Sequence, residues 1–242
     1  MFTNNKETIG NFLFKYRGQF PLIIFVISVP FIFNTKLPVK FILYNTISFI
    51  ITLSGFLIRF YSVATTPKGT SGRNTKKQIA EKLNTTGIYS VVRHPLYLGN
   101  FLIWIGISFF VYNIYFIIIN IILFYLFYRY IVFSEENFLQ KVYNNEYIQW
   151  SRKTPAFFPN IFLFKSSSVS FSIKSILRRE YPGVLAAVIS FSYIDIIRNI
   201  FTNKNIVIND DLAYLLIITF FFAIFLKILK HHTNFLEEKD RS

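Results

Sequence analysis

The chain has 242 residues, of which 53% are hydrophobic and 20% aromatic, and its formal net charge is +14 at pH 7. The apolar content excludes a disordered chain, and 16% charged residues are too few for an ordinary soluble surface. Because cysteine is absent, disulfides, zinc ribbons and thiol nucleophiles are excluded. The composition therefore indicates a lipid-facing protein with a large excess of positive charge.

Apolar stretches follow one another along the chain and predict its architecture. No side chain between Pro95 and Tyr128 carries a formal charge, and this run is too long for one helix across about 30 Å of hydrocarbon. We therefore interpret it as a helical hairpin that turns at Val111–Asn113. The six predicted stretches are Phe20–Phe33, Phe41–Ile58, Leu96–Phe110, Ile114–Phe133, Gly183–Ile197 and Leu212–Leu226. They predict an all-α, polytopic membrane helix bundle with about six spans.

The basic residues predict the orientation of this bundle. A basic chain can bind nucleic acid, but here Lys and Arg stand between apolar stretches rather than on a compact polar module. Under the positive-inside rule the basic clusters lie on one face, with both termini cytoplasmic, and we expect no nucleic-acid partner. The segment 166–179 is Ser-rich and then mixed basic and apolar, so it predicts either an interfacial helix or a plain linker.

A first polar cluster stands where the hairpin begins. Pro95 suits the first turn of a helix, so Arg93 and His94 precede a helix N-terminus, where backbone donors favour an anion. Tyr97 follows within the first turn. The alternative is that Arg93 and His94 are interfacial anchors and that Tyr97 belongs to an aromatic belt.

A second polar cluster, Glu135 and Glu136, follows the returning helix. Arg129 shares a helical face with Glu136, seven residues further on. The hairpin brings the two carboxylates back beside the first cluster, an arrangement that suits a ligand with an amino acid moiety and ribose hydroxyls. The alternative is that Glu135 pairs with a loop lysine and that Glu136 is solvated.

The run Arg93-His94-Pro95-Leu96-Tyr97-Leu98-Gly99 resembles the RHPxYxG motif of the isoprenylcysteine carboxyl methyltransferase and phospholipid methyltransferase superfamily. The upstream 87–89 and the downstream acidic pair with 143–159 are similar to further motifs of these integral-membrane enzymes, so the resemblance covers roughly residues 50–160. It implies S-adenosylmethionine in a cytoplasmic pocket. The residues it assigns to that pocket are Leu83, Tyr89, His94, Pro95, Tyr97, Glu135 and Glu136. Methyl transfer needs positioning and exclusion of water, so we assign no catalytic base, and no metal.

The methyl acceptor is less specified. At the position of the arginine that the isoprenylcysteine enzymes use for substrate this chain has Ile131, which argues against a prenylated protein. Residues 68–74 hold two glycines among Lys, Arg, Thr and Ser, a pattern that fits either a phosphate cradle or a flexible loop. We expect a membrane lipid or lipid-linked acceptor, with an anionic headgroup as the hypothesis. The candidate substrate-binding residues are Lys68, Arg73, Arg93 and Arg129.

The sequence thus predicts two N-terminal spans in 1–60, a methyltransferase core in 61–160, and a linker with two further spans in 161–242. Two other functions are compatible with parts of the pattern. Sterol reductases, which use NADPH, have a similar R-H-P-x-Y-x-G stretch, and a non-enzymatic transport or interaction protein would also be polytopic. The acidic pair favours the methyltransferase, and the discontinuous helices with central polar residues that are typical of transporters are missing.

Overall fold

The computed structural model describes residues 2–69, 81–238 and 241. Within these residues the chain is helical and has no strand, which confirms the all-α prediction. Two short 3-10 turns, Ile88–Ser90 and Ile161–Leu163, interrupt the loops. The helices are α1 (Phe2–Tyr16), α2 (Phe20–Phe33), α3 (Phe41–Ala64), α4 (Pro95–Phe109), α5 (Ile114–Tyr143), α6 (Asn145–Lys153), α7 (Ile173–Asn203) and α8 (Asp210–His232).

A polytopic helical bundle is confirmed. Four helices, α3, α5, α7 and α8, are long and apolar enough to cross a membrane, and α1 with α2 forms a pair bent by 80° that makes up to five. The helix α4 is apolar but shorter, at 15 residues. Five of the six predicted stretches lie within a helix and the sixth, Leu96–Phe110, ends one residue beyond α4, but the count of about six spans stays a prediction.

Four helices, α3, α5, α7 and α8, extend beyond the predicted apolar stretches, and the extensions of α7 and α5 bear on the predictions. Helix α7 begins at Ile173, so the second half of the segment 166–179 is continuous with a long helix and is neither a separate interfacial helix nor a linker. Helix α5 continues to Tyr143 and carries the acidic pair on its last three turns. The site residues of α5 therefore stand on a rigid element.

The hairpin between α4 and α5 turns where the sequence predicted it. Tyr112 has a φ of 61°, and the side chain of Asn113 accepts hydrogen bonds from the backbone N–H groups of Tyr115 (3.0 Å) and Phe116 (3.2 Å). This N-cap satisfies donors that the first turn of α5 would otherwise leave unpaired. The turn returns the chain towards the end of the bundle where α4 began.

Helices α3 and α4 pack with their backbones in close contact, and glycine makes this possible. A Cβ atom on Gly99 would come within 2.5 Å of Arg59 Cγ and 2.8 Å of the Gly55 carbonyl oxygen. Small residues at such crossings are typical of membrane helices, where close van der Waals packing replaces the hydrophobic effect. The crossing holds Arg59 directly against the first turns of α4.

Helix α7 packs on the core formed by α2, α3 and α4. Ile194 of α7 is buried in one cluster with Phe20 and Ile24 of α2 and Phe116 of α5. Ala187 of α7 is buried against α3 and α4. The C-terminal part of the chain is thus built into the bundle that carries the candidate site.

Candidate functional site

The loop before α4 is held in place by the segment that follows α6. Gly87 has a φ of 60°, a conformation that favours glycine, and its N–H donates to the Lys165 carbonyl (2.9 Å). The Arg93 N–H donates to the Pro155 carbonyl (2.9 Å), and the His94 N–H to that of Ala156 (3.3 Å). The two motif residues before α4 are therefore fixed by backbone bonds to a distant loop.

His94 lies between the two carboxylates of α5. Its side chain is buried, its Nε2 is 2.9 Å from Glu136 Oε1, and its Nδ1 is 3.8 Å from Glu135 Oε2. Because a carboxylate only accepts hydrogen bonds, the hydrogen is on Nε2. The hairpin thus brings the two predicted clusters together, and His94 orients Glu136.

Arg93 completes the charged group, and both ends of the group have unpaired atoms. Its Nη2 is 3.1 Å from Glu136 Oε1 and its Nη1 donates to the Ser151 carbonyl (3.4 Å). Two buried polar atoms here, Arg93 Nε and Glu135 Oε2, have no hydrogen-bond partner among the described residues. Buried polar atoms are normally paired, so these two point to a ligand or to water. Of the two carboxylates the guanidinium contacts that of Glu136, so Glu135 Oε2 is available to a cationic group of a ligand.

Aromatic rings form one wall of the site. The Tyr97 ring stacks on the His94 imidazole with centroids 5.6 Å apart and an interplanar angle of 16°. The centroid of the Phe157 ring lies 6.2 Å from that of the imidazole, and Tyr128 of α5 packs on Tyr97 at 5.0 Å. These faces exclude water and can attract a cation through their π-electrons.

Tyr147 of α6 lies beside the acidic pair. It is 4% exposed, and burial raises the pKa of its hydroxyl well above the ordinary value, with the negative charge of Glu136 raising it further. The hydroxyl therefore stays protonated at neutral pH and can act as a hydrogen-bond donor in the site.

The remaining three predicted cofactor residues lie in the first turn of α4 and in the loop before it. Pro95 is fully buried in the first turn of α4, and Leu83 is buried before the 3-10 turn. Tyr89 is half-buried, and its carbonyl accepts a hydrogen bond from Trp150 Nε1 (3.1 Å). The bond from Trp150 to Tyr89 ties the loop before α4 to α6.

The candidate substrate residues are not gathered as the sequence suggested. Arg93 is in the charged group. Arg129 is exposed, donates to the Tyr130 hydroxyl (2.8 Å) and is not brought to the acidic pair, although Glu136 is two turns away on the same helix. Lys68 is exposed beyond the end of α3, and Arg73 lies outside the described residues. The position of the family's substrate arginine, Ile131, is fully buried.

Sequence reasoning missed a polar network behind the aromatic wall. Glu180 of α7 is 2% exposed and accepts from Arg59 Nε (2.8 Å) and Nη2 (2.9 Å). Arg59 Nη1 donates to Asn100 Oδ1 (2.6 Å), and Asn100 Nδ2 donates to the Tyr128 hydroxyl (3.1 Å). The sequence did contain a signal for this network. Glu180 stands beside the apolar stretch Gly183–Ile197, and an acidic residue next to a membrane span requires a cationic partner.

The segment of the chain that carries the charged group is similar to a known protein family. Residues 43–146 match the family model described as phospholipid methyltransferase. This match confirms, over residues 43–146, the resemblance to the methyltransferase superfamily. The matched segment contains α4, the hairpin turn and the charged group formed by Arg93, His94, Glu135 and Glu136.

Two curated relatives are similar over a shorter stretch. The nickel-cobalt-cadmium resistance protein NccN of Alcaligenes xylosoxydans xylosoxydans is 39% identical over 87 residues, which are 36% of this chain and 40% of the relative. The cobalt-zinc-cadmium resistance protein CzcN of Cupriavidus metallidurans is 34% identical over 86 residues, 36% of this chain and 39% of the relative. The chain thus spans about two fifths of the length of these relatives. No solved structure matches significantly.

Within residues 2–69, 81–238 and 241 no group of three or more His, Asp or Glu side chains is placed to hold a metal ion.

Proposed function

We propose that this protein is an integral-membrane methyltransferase that uses S-adenosylmethionine to methylate a lipid or lipid-linked acceptor. The observation that carries the proposal is the charged group itself. Within the family-matched segment, a buried Arg93 Nε and a buried Glu135 Oε2 lie unpaired on either side of the His94–Glu136 contact.

The residues present fit the amino acid end of S-adenosylmethionine. Arg93, at the start of α4, suits the carboxylate, because its guanidinium and the helix N-terminus both favour an anion. Glu135 suits the ammonium group or the ribose hydroxyls. His94 is committed to Glu136, so we assign it the role of orienting that carboxylate. The Tyr97 and Phe157 rings keep water out of the site.

When bound, S-adenosylmethionine supplies a methyl group on a sulfonium, which leaves as a neutral thioether. The protein's part is to orient the acceptor and keep the site dry, and these functions need no covalent intermediate with the protein. On the positive-inside rule we place the site and both termini on the cytoplasmic side.

Calorimetric titration of the purified protein with S-adenosylmethionine and with NADPH tests the cofactor. We expect saturable binding of S-adenosylmethionine that is lost or weakened at least tenfold in Glu135→Gln. Glu146→Gln, which removes an exposed acid on α6, is the matched control and should bind as the wild type does. Binding of NADPH alone would favour the reductase, and binding of neither would contradict both enzymatic functions.

The acceptor is tested with methyl-labelled S-adenosylmethionine and a lipid extract of the source organism. If the headgroup is anionic, Lys68→Ala and Arg73→Ala should raise the KM for lipid and leave the Kd of S-adenosylmethionine unchanged. Unchanged KM values would refute an anionic headgroup held by these residues.

A further inference from the structure

A cavity of about 170 Å³ lies inside the bundle, apart from the charged group. It is lined by residues of α2, α3, α4, α5 and α7. Its walls are mainly apolar, with Phe56, Ile103 and Phe116 among them. Since α2 and α7 lie outside residues 43–146, the cavity is completed by parts of the chain that the family match does not include.

One end of the cavity has a buried polar atom without a partner. Asn120 of α5 lines the cavity and is 1% exposed. Its Nδ2 donates to Ser108 Oγ, and Ser108 Oγ in turn donates to the Trp104 carbonyl (2.8 Å). Because the Ser108 hydroxyl hydrogen is used in this bond, Ser108 Oγ can only accept a hydrogen bond from Asn120. The amide nitrogen of Asn120 therefore faces Ser108, and its oxygen, Oδ1, is left for another partner. This Oδ1 has no hydrogen-bond partner among the described residues.

The serine side chains of the cavity wall are already bonded. Ser28 Oγ donates to the Phe25 carbonyl (2.7 Å), and Ser190 Oγ donates to the Ala186 carbonyl (2.7 Å). At the opposite end, the charge of Arg59 is balanced by its bidentate contact with Glu180. A ligand therefore gains from being neutral and from offering one donor to Asn120.

The dimensions limit the size of such a ligand. Asn100 and Ser108 both line the cavity and are eight residues apart on α4, so it extends roughly 12 Å along this helix. Its volume is close to that of an apolar cavity of about 150 Å³ that holds benzene. The space therefore suits a slender hydrocarbon of about six or seven carbon atoms.

We propose that this cavity is a second binding site, for a slender neutral alcohol whose hydroxyl donates to Asn120 Oδ1 and whose hydrocarbon body fills the space between α4 and α7. The hydroxyl satisfies the buried amide oxygen, and the apolar walls bind the chain. The site is independent of the methyl transfer proposed above, and its test does not measure that activity.

Trp104 provides the readout, because it lines the cavity and the chain has two tryptophans. The variant Trp150→Phe, in a lipid nanodisc, leaves Trp104 as the single tryptophan. The probe is 6-bromohexan-1-ol, whose bromine quenches tryptophan fluorescence on contact, and 1-bromohexane is the matched compound without the hydroxyl. We expect saturable quenching by the alcohol, with an apparent affinity at least tenfold higher than that for bromohexane.

Two further variants in the same background separate the cavity from the bilayer. Asn120→Leu should lower the affinity for the alcohol to that for bromohexane. Ala187→Phe fills the cavity and should abolish saturable quenching by both, whereas Ile189→Phe, on the exposed face of α7, should leave it unchanged. Equal quenching by both probes in the Trp150→Phe protein, or non-saturable quenching, would overturn the proposal, and this comparison does not depend on the folding of the other variants.

Discussion

The ion pair between Arg59 of α3 and Glu180 of α7 predicts a large loss of stability on substitution. The Glu180 carboxylate is 2% exposed and makes two bonds, of 2.8 and 2.9 Å, to a guanidinium that is 16% exposed. Glu180→Leu leaves this guanidinium buried without its counter-charge. Removing one partner of a buried pair costs about 3–5 kcal/mol, and two charge-assisted bonds of about 1.5–3 kcal/mol each give a similar figure.

The free energy of unfolding, followed by circular dichroism during denaturant titration in detergent, measures this effect. The control is Glu7→Leu, which removes the exposed pair between Glu7 and Lys141, with side-chain exposures of 31% and 65%. An exposed pair contributes at most about 1 kcal/mol, so the control should be nearly as stable as the wild type.

The double variant Arg59→Met/Glu180→Leu makes the test specific. Replacing both partners with apolar side chains removes the unpaired charge, so we expect it to be more stable than Glu180→Leu alone. It will not reach the wild type, because Asn100 Oδ1 loses its donor, at a cost of about 1–3 kcal/mol. A Glu180→Leu cost no larger than that of the control, or a double variant as unstable as the sum of the two single changes, would refute this reasoning.

Further predictions concern the α3–α4 crossing and Tyr147. Gly99→Ala should lower the thermal midpoint of unfolding or the yield of folded protein, because the new Cβ would lie 2.5 Å from Arg59 Cγ, whereas Gly18→Ala, with no atom within 4 Å, should change neither. Tyr147→Phe removes a buried donor beside Glu136 and should raise the Kd of S-adenosylmethionine about two- to tenfold without lowering stability. Because burial raises the pKa of Tyr147, wild-type binding should show no inflection from Tyr147 ionisation near pH 10, the ordinary tyrosine value.

Hydropathy and turn chemistry were sufficient for most of the helical architecture. The uncharged run from Pro95 to Tyr128 predicted the hairpin and its turn at Val111–Asn113, and the structure adds that Asn113 caps the following helix. The full extents of α3, α5, α7 and α8 were not readable from hydropathy. Helix α5 extends to Tyr143 because its last turns pack against α1 rather than lipid, so polar residues there cost little.

The charged group was predictable, but the partner of each residue was not. The hairpin required Arg93 and His94 to return near Glu135 and Glu136, and they do. Sequence spacing also put Arg129 on the helical face of Glu136, yet its long side chain turns outward to the Tyr130 hydroxyl. A spacing of two helical turns places two residues on one face of a helix. It does not determine which partner a long, flexible arginine side chain binds.

The polar network behind the aromatic wall depends on a residue outside the matched segment, so the motifs alone did not predict it. Glu180 holds Arg59, Arg59 holds Asn100, and Asn100 donates to the Tyr128 hydroxyl. The Tyr128 ring packs on Tyr97. These contacts join α7 to α3, α3 to α4, and α4 to α5, and the acid that begins the series lies outside residues 43–146. The residues after 160, whose role the sequence did not indicate, therefore supply the counter-charge that a buried arginine in the family segment requires.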